Sequence, residues 1–406
     1  MSNSLLTIDM ITRKALEILE NNLVVTRNIN RDYDDSFAVQ GAKIGSTLRI
    51  RVPDRAVVTD GAALVVQDDN EQFTTLAVSS QKHIGLNFTS AELTMQLDDF
   101  AERVLKPRIS QLAASIDADV ASIAYKGIGQ SVGTPGTVPS TSAVLLAAQQ
   151  KLNESATIMT PRYAAVNPAA NAGLVEGMKG FFNPTDTIAR QFKNGMMGTG
   201  VLGYEEISMS QSIATHTTGA FPASPIVSVT AVNGASTISM SFTSGTKTLL
   251  KGDVFTVANV YAVNPQTRQS TGSLQQFVVV SDRATSGAAT AFSVPAVEVF
   301  PALYTAEHAL ATVNRMPTAS DVITFVGTAS TGYPQNLVYH KDAITFATAD
   351  LLMPQGVDMA SRQVHNGISM RIVRQYDINN DRMPCRIDVL YGYSVIRAPM
   401  AVRMWG

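Results

Sequence analysis

The stretch that most constrains this chain lies between Ser46 and Phe88. In STLRIRVPD the apolar residues fall on every second position: Leu48, Ile50 and Val52 share one face, and Arg49 and Arg51 take the other. The alternation returns in KHIGLNF through Ile84, Leu86 and Phe88. Between them, Asp60 and Gly61 mark a turn, and QDDNEQ, from Gln67 to Gln72, makes an acidic tip. The pattern predicts a long extended hairpin. Few of its residues can form a core of their own, and an isolated hairpin is marginal in water. Its apolar face needs a surface from elsewhere.

The segments on either side read as helices. Leu5, Ile8, Ile11, Ala15, Ile18 and Leu19 recur at helical spacing, with Thr7 as N-cap. The polar, turn-like NINRDYDDSF follows, so this short helix reads as an arm that packs on something else. After the hairpin, Thr89, Ser90, Ala91 and Glu92 have capping-box spacing. Phe100, Val104, Leu105, Ile109, Leu112, Ile116, Val120 and Ile123 then keep a helical period until Gly127, which predicts a long spine helix. Pro107 lies inside it and either kinks it or starts a second segment. A Gly/Pro/Ser-rich loop leads to a helix in STSAVLLAAQQKLNES, capped by Ser140 or Ser142. RYAAVNP follows as a strand and NAGLVEGMKGFF as another helix.

Composition shifts near Phe221 and Pro222. From there to about Gln335 the chain is rich in Ser, Thr, Ala and Val. SPIVSVTAV, STISMSFTS, DVFTVANVYAVN, LQQFVVVSD and TAFSVPAVEVF read as short strands between Gly and Asn turns, as in an all-β barrel or sandwich. HKDAITFATADLL restores a helical pattern, which suggests a β domain inserted into an α+β domain. At the end, GISMRIVRQYD and CRIDVLYGYSVI alternate as strands joined by INNDRMP. In the second of these, Cys385, Ile387, Val389, Tyr391, Tyr393 and Val395 share a face, so Cys385 reads as a small buried hydrophobe.

The chemistry-bearing motifs fail on context. Gly198-Thr199-Gly200-Val201-Leu202-Gly203 matches G-x-G-x-x-G. A dinucleotide site needs a strand feeding the glycines, a helix leaving them and an acidic residue about twenty positions on. ARQFKNGMM is not a strand, YEEISMSQS has no helical stripe, and no acidic residue lies between Glu206 and Asp253. The glycines read better as positive-φ positions in a turn-rich loop. Asp377, Asn379, Asp381 and Asp388 fit four positions of a calcium loop, but Arg382 stands where Gly is needed and the flanks are strands, so an Asx turn is the plainer reading. His83, His216, His308, His340 and His365 have no second ligand at metal spacing. No catalytic residue, cofactor or metal is assigned.

Composition narrows the class. The chain has 31 Lys+Arg against 33 Asp+Glu, which does not describe a dedicated nucleic-acid binder. Charged residues are only 16% of the 406 positions, which fits either a large core or a monomer surface that becomes interface. A single cysteine fits a reducing compartment. The first residues do not form a signal peptide, and no apolar run approaches ~20 residues, so a soluble protein made in the cytoplasm is expected.

The order of parts is specific: arm, extended hairpin, spine helix, mixed domain, inserted β domain, return, terminal strands. It resembles the major capsid protein of tailed double-stranded DNA bacteriophages, the Hong Kong 97 type of fold. It is most similar to the coat-protein family of short-tailed Salmonella phages, whose members carry an insertion domain. The stretches that carry the likeness are GSTLRIRVPDR, RYAAVNPAANAGLVEG, GTGVLGYEEISMSQSIATHTTG and VRQYDINNDRMPCRIDVLYGYSVIR. The resemblance implies an α+β capsid fold with an N-terminal arm (1–36), an extended loop (37–88) and a spine helix of the peripheral domain (89–135). It implies an axial domain in two parts (136–221 and 336–375), an inserted β-barrel-like domain (222–335) and C-terminal strands of the peripheral domain (376–406).

The family also implies a function. Copies of the chain would form pentamers and hexamers of an icosahedral head, of T=7 size, around double-stranded DNA held by weak contact. A separate scaffolding protein would guide a procapsid that expands on packaging, with a portal protein as further partner. Assembly would take place in the host cytoplasm, the shell would be non-covalent, and no enzyme activity is implied. The arm and hairpin cannot bury their apolar faces within one subunit, but swung over neighbours they can. The acidic tip, Asp68, Asp69 and Glu71, then either meets a neighbour's Arg103, Lys106 or Arg108 or remains a solvated turn. The insertion serves either as a folding nucleus or as a contact between capsomers. Two alternatives stand beside this reading: a non-viral encapsulin-type shell, and a dinucleotide-binding enzyme built on Gly198 to Gly203.

Overall fold

The structure is a computed structural model that describes residues 8–32, 46–52, 55–62, 64, 66, 72–88, 101–177, 197–221, 224–243, 247–285, 291–379 and 383–406. The chain is mixed α+β and divides into two compact units. Met1–Ile50, Phe73–Val120 and Ile344–Ile396 form the first; Arg51–Gln72, Ala121–Ala343 and Arg397–Gly406 form the second.

The first unit is built on one sheet. Its strands run in the order Ser46–Val52, Gln72–Phe88, Met383–Val395, Ile368–Arg374 and Met359–His365, and Ile344–Thr348 also pairs with Met383–Val395. Register places Ile84, Ile387, Ile372 and Ser361 side by side across four strands. On that face Cys385, Ile387, Val389 and Tyr391 are buried, as their alternation predicts, while Tyr393 and Val395 are half-buried toward the strand end.

The arm is helix α1, Ile8–Asn22. Its stripe of Ile11, Ala15, Leu16 and Leu19 is buried. The covering surface comes from the same chain: α1 packs on Met359–His365 and Ile368–Arg374. Polar contacts fix its ends, with Ser361 Oγ donating to Asp9 at 2.5 Å and Asn366 Nδ2 to Glu20 at 2.6 Å. This corrects the expectation that the arm must reach a neighbour to bury its apolar face. The partner strands lie far along the sequence, where local periodicity gives no sign of them.

The spine helix appears as a π-helical turn, Ala101–Leu105, running into α2, Lys106–Gly127. Pro107 is the second residue of α2, where a missing backbone donor costs little. The proline stands where the π-helical turn gives way to α2. Asp117 on α2 is 2% exposed. Its carboxylate accepts the backbone N–H groups of Val24 (2.6 Å), Val25 (3.3 Å) and Thr26 (3.0 Å) and the Thr26 hydroxyl (2.5 Å). A buried carboxylate is tolerated only when donors surround it; here they are supplied by the turn that ends α1. Two residues on, Asp119 takes an ion pair from Lys82 at 2.7 Å and a hydrogen bond from the Tyr391 hydroxyl at 2.6 Å, which binds α2 to the sheet.

The second unit holds two large sheets. In one, the order is Ser131–Val132, Ala401–Trp405, Gly332–His340, Arg162–Val166, Tyr204–Met209 and Gly198–Val201, with Thr215–Thr217 also on Gly332–His340. Helices α3, Ser142–Glu154, and α4, Pro168–Gly177, contribute Leu145, Ala148, Leu152, Ala170 and Leu174 to a core with Val166, Ile207, Val338, Val402 and Met404. The N-cap of α3 is Thr141, in extended conformation and without a side-chain cap bond, in place of Ser140 or Ser142.

The other sheet is antiparallel: Ile323–Phe325, Val254–Val263, Ser270–Val279, Ala291–Phe300, Thr237–Thr243 and Ile226–Val227. Its core is aromatic and β-branched, with Phe221 and Phe325 stacked at 4.4 Å and Phe255 and Phe277 at 5.6 Å.

Two expectations fail on local period. HKDAITFATADLL is not helical: Lys341–Ala343 is a 3-10 turn and Ile344–Thr348 a strand buried at every position. A short apolar run buried on both faces carries no alternation to separate it from a helix. The glycine motif is not a loop either, although Gly198, Gly200 and Gly203 all take the positive φ expected of them. Gly198–Val201 and Tyr204–Met209 pair as a hairpin closed by Leu202 (φ 53°) and Gly203 (φ 79°), the two left-handed residues that a tight hairpin turn requires.

Replacing Asp117 by Ala leaves buried backbone donors unpaired. We expect Asp117→Ala to lower unfolding stability by roughly 3 kcal/mol or more, read from the urea midpoint, with new proteolysis near residues 23–32. Unchanged stability would remove Asp117 as the anchor of the arm.

Candidate functional site

The chemical candidates close on themselves. His216 Nε2 lies 2.9 Å from Asp253, but their side chains are 3% and 0% exposed, and Asp253 is also bound by the backbone N–H groups of Gly219 and Leu250. Substrate has no access to this pair. Burial pushes the Cys385 thiol up to about 12, with Arg374 opposing, so the thiolate that would act as nucleophile is suppressed. Asp377 accepts the Asn379 backbone N–H at 3.1 Å in an Asx turn. Asp388, opposite it in the calcium template, is wholly buried between Arg371 (2.7 Å) and Arg386 (2.6 Å). Among the described residues no group of three His, Cys, Asp or Glu is placed to hold a metal ion.

The glycine stretch lacks what a pyrophosphate needs. The hairpin leaves Gly203 as a strand, not as a helix with free N–H groups. A Cβ on Gly203 would come within 2.3 Å of the Gln149 side chain of α3, so that face is occupied by protein. A crevice of about 90 Å³, lined by Arg55, Gln130, Lys151, Glu154 and Gln276 among others, is too small for a nucleotide.

The surface candidates are more telling. Asp68, Asp69 and Glu71 lie outside the described residues. Arg103, in the π-helical turn, and Lys106 and Arg108, at the start of α2, are all exposed. In the hairpin, Ile50, Leu76 and Val78 are buried with Leu390, Ala347 and Ala349, which anchors its base. Arg49 covers the Phe73 ring at 4.6 Å. Further along the loop, Val58, Leu64 and Val66 are 92%, 89% and 80% exposed. Single exposed hydrophobes are ordinary, but three on one extended loop stand out.

The family described as P22 coat protein, gene protein 5, matches residues 1–406. The chain belongs to the P22 coat protein family. It is a phage major capsid protein, a structural protein and not an enzyme. Solved structures similar to this coat protein include a chain of Mycobacterium phage Che8 (TM-score 0.48, 12% identity, 94% of this chain and 90% of that one). They also include the capsid of Cyanophage P-SCSP1u (0.41, 10%, 91% and 85%) and a virus-like particle from Pyrococcus furiosus (0.38, 8%, 97% and 97%). No curated protein matches the chain. Among the described residues, no helix of the coat protein is long and apolar enough to cross a membrane.

Sequence reasoning missed Asp117, the arginines that hold Asp388 and the pairing of His216 with Asp253. A trace was present for Asp117, which adjoins Ile116 on the apolar stripe of α2. For the others, Arg371 and His216 come from separate strands, while Arg386 and the Leu250 N–H lie within three residues of the carboxylates they serve.

The buried thiol gives a direct check. Cys385 of the folded coat protein is expected to resist a thiol reagent at pH 8 and to react fully once the chain is denatured. Fast labelling of the native protein would place Cys385 at the surface.

Proposed function

We propose that this coat protein assembles, under a separate scaffolding protein, into pentamers and hexamers of a T=7 procapsid that expands as double-stranded DNA is packaged through a portal. Family membership supports the shell. The exposed apolar loop is the observation that carries the assembly reading: Val58, Leu64 and Val66 find no cover, whereas the base of the same hairpin is packed. A neighbouring subunit supplies that cover. The arm is not part of this exchange, because α1 is already buried on its own strands.

Electrostatics sets the register of the contact. The acidic tip of Asp68, Asp69 and Glu71 meets the exposed Arg103, Lys106 and Arg108 of a neighbour. Exposed pairs contribute only ~0–1 kcal/mol each, so they orient the loop more than they hold it. Residues 222–335 act as an inserted domain that nucleates folding, a role favoured by the dense aromatic core of their sheet. The near-neutral charge suits a container that holds DNA without gripping it.

Negative-stain electron microscopy of the protein, alone and with its scaffold, tests the reading. Shells or capsomer rings are expected; a monodisperse monomer under both conditions would overturn it. Val58→Ser with Leu64→Ser should leave the thermal midpoint of the monomer unchanged and reduce shell yield at least about tenfold, since buried apolar area drives association. Wild-type assembly of that double variant would exclude the loop as a contact.

A further inference from the structure

The strand Ala401–Trp405 has two working faces within the second unit. Val402 and Met404 enter the core beneath α3 and α4. Trp405 instead packs with Val254, Val278 and Tyr333, where the antiparallel sheet begins. Arg403 points the same way and is 0% exposed. Its Nη1 donates to the Gly252 carbonyl at 2.8 Å. Its guanidinium lies over the rings of Trp405 (5.4 Å) and Tyr125 (5.8 Å), and among the described residues Nε and Nη2 have no hydrogen-bond partner. Burial lowers the pKa of Arg403 to about 9, with Tyr125 and Asp253 opposing the fall.

Everything around Gly252 is closely fitted. Gly252 has φ +104°, and a Cβ there would sit 3.2 to 3.3 Å from Tyr125, His216 and Lys126. The next residue, Asp253, gathers His216 and the backbone N–H groups of Gly219 and Leu250. The two crossings of the chain meet beside it: Thr218 N–H donates to the Thr331 carbonyl at 3.0 Å, and Thr331 N–H to the Thr218 hydroxyl at 3.1 Å.

A guanidinium so placed is a poor stabiliser. A fully buried charge with one hydrogen bond loses hydration that it does not recover, and apolar replacement of such groups is often neutral or stabilising. What the arginine does supply is direction. Its one strong bond fixes the carbonyl that precedes Asp253 and the strand Val254–Val263, and two aromatic faces hold its plane. We propose that Arg403 is a positioning residue: it sets the orientation of the antiparallel sheet on the rest of the second unit and contributes little to stability.

The test compares Arg403→Met and Arg403→Lys in the full chain by thermal melting and hydrogen exchange. Arg403→Met is expected to melt at or above the wild-type temperature, while amides 250–254, 218–221 and 329–333 exchange at least about tenfold faster. Arg403→Lys, which keeps a donor for Gly252, is expected to return exchange at those amides to within about threefold of wild type. Unchanged exchange in Arg403→Met would overturn the proposal. So would an unfolded Arg403→Met, or a lowered melting point with exchange rising evenly across both sheets, because either outcome makes Arg403 a stabiliser.

Discussion

The first unit turns on the Asp117 carboxylate. Helix α1 has one apolar stripe and would be marginal alone. It lies where it does because the turn after it, Val24 to Thr26, delivers its backbone N–H groups to a carboxylate on α2. That contact fixes the exit of α1 and lets its stripe meet the strands Met359–His365 and Ile368–Arg374. Asp119 then joins the same helix to the sheet through Lys82 and Tyr391. Two carboxylates on one helix thus organise an arm, a helix and a sheet that share no local sequence signal.

The same logic recurs with opposite sign in the second unit. Buried arginines hold backbone carbonyls: Arg162 binds those of Thr157 and Ile158, and Arg403 that of Gly252. In each case a charged fork reaches from a strand into the adjoining loop, where no ladder partner exists. A fold with so few charges overall spends several of them inside, at junctions.

Much of the layout was legible in the sequence, for identifiable reasons. Alternation marked Ser46–Val52 and Met383–Val395, because each has one apolar and one polar face. The helical stripe marked α1 and α2. Where a strand is buried on both sides, as at Ile344–Thr348, the period vanishes and the reading failed. The glycine motif lacks a feeding strand and a following helix in its sequence, yet its hairpin went unseen, since Leu202 carries no hint of a left-handed backbone. Surface residues of α2 were found by charge; the partners of Asp117 and Arg403 are set by tertiary approach and leave no local trace.

The order in which these parts leave the ribosome follows from the packing. Helix α1 is made early, but the strands that cover it run from Met359 to Arg374. The second unit is likewise incomplete until Ala401–Trp405 arrives between Ser131–Val132 and Gly332–His340. Each unit therefore closes only after its latest strand has been made, although domains commonly fold as they emerge. The antiparallel sheet of residues 226–325 is the exception, since its strands pair with one another. A chain made only as far as this sheet therefore holds one finished sheet and two open units.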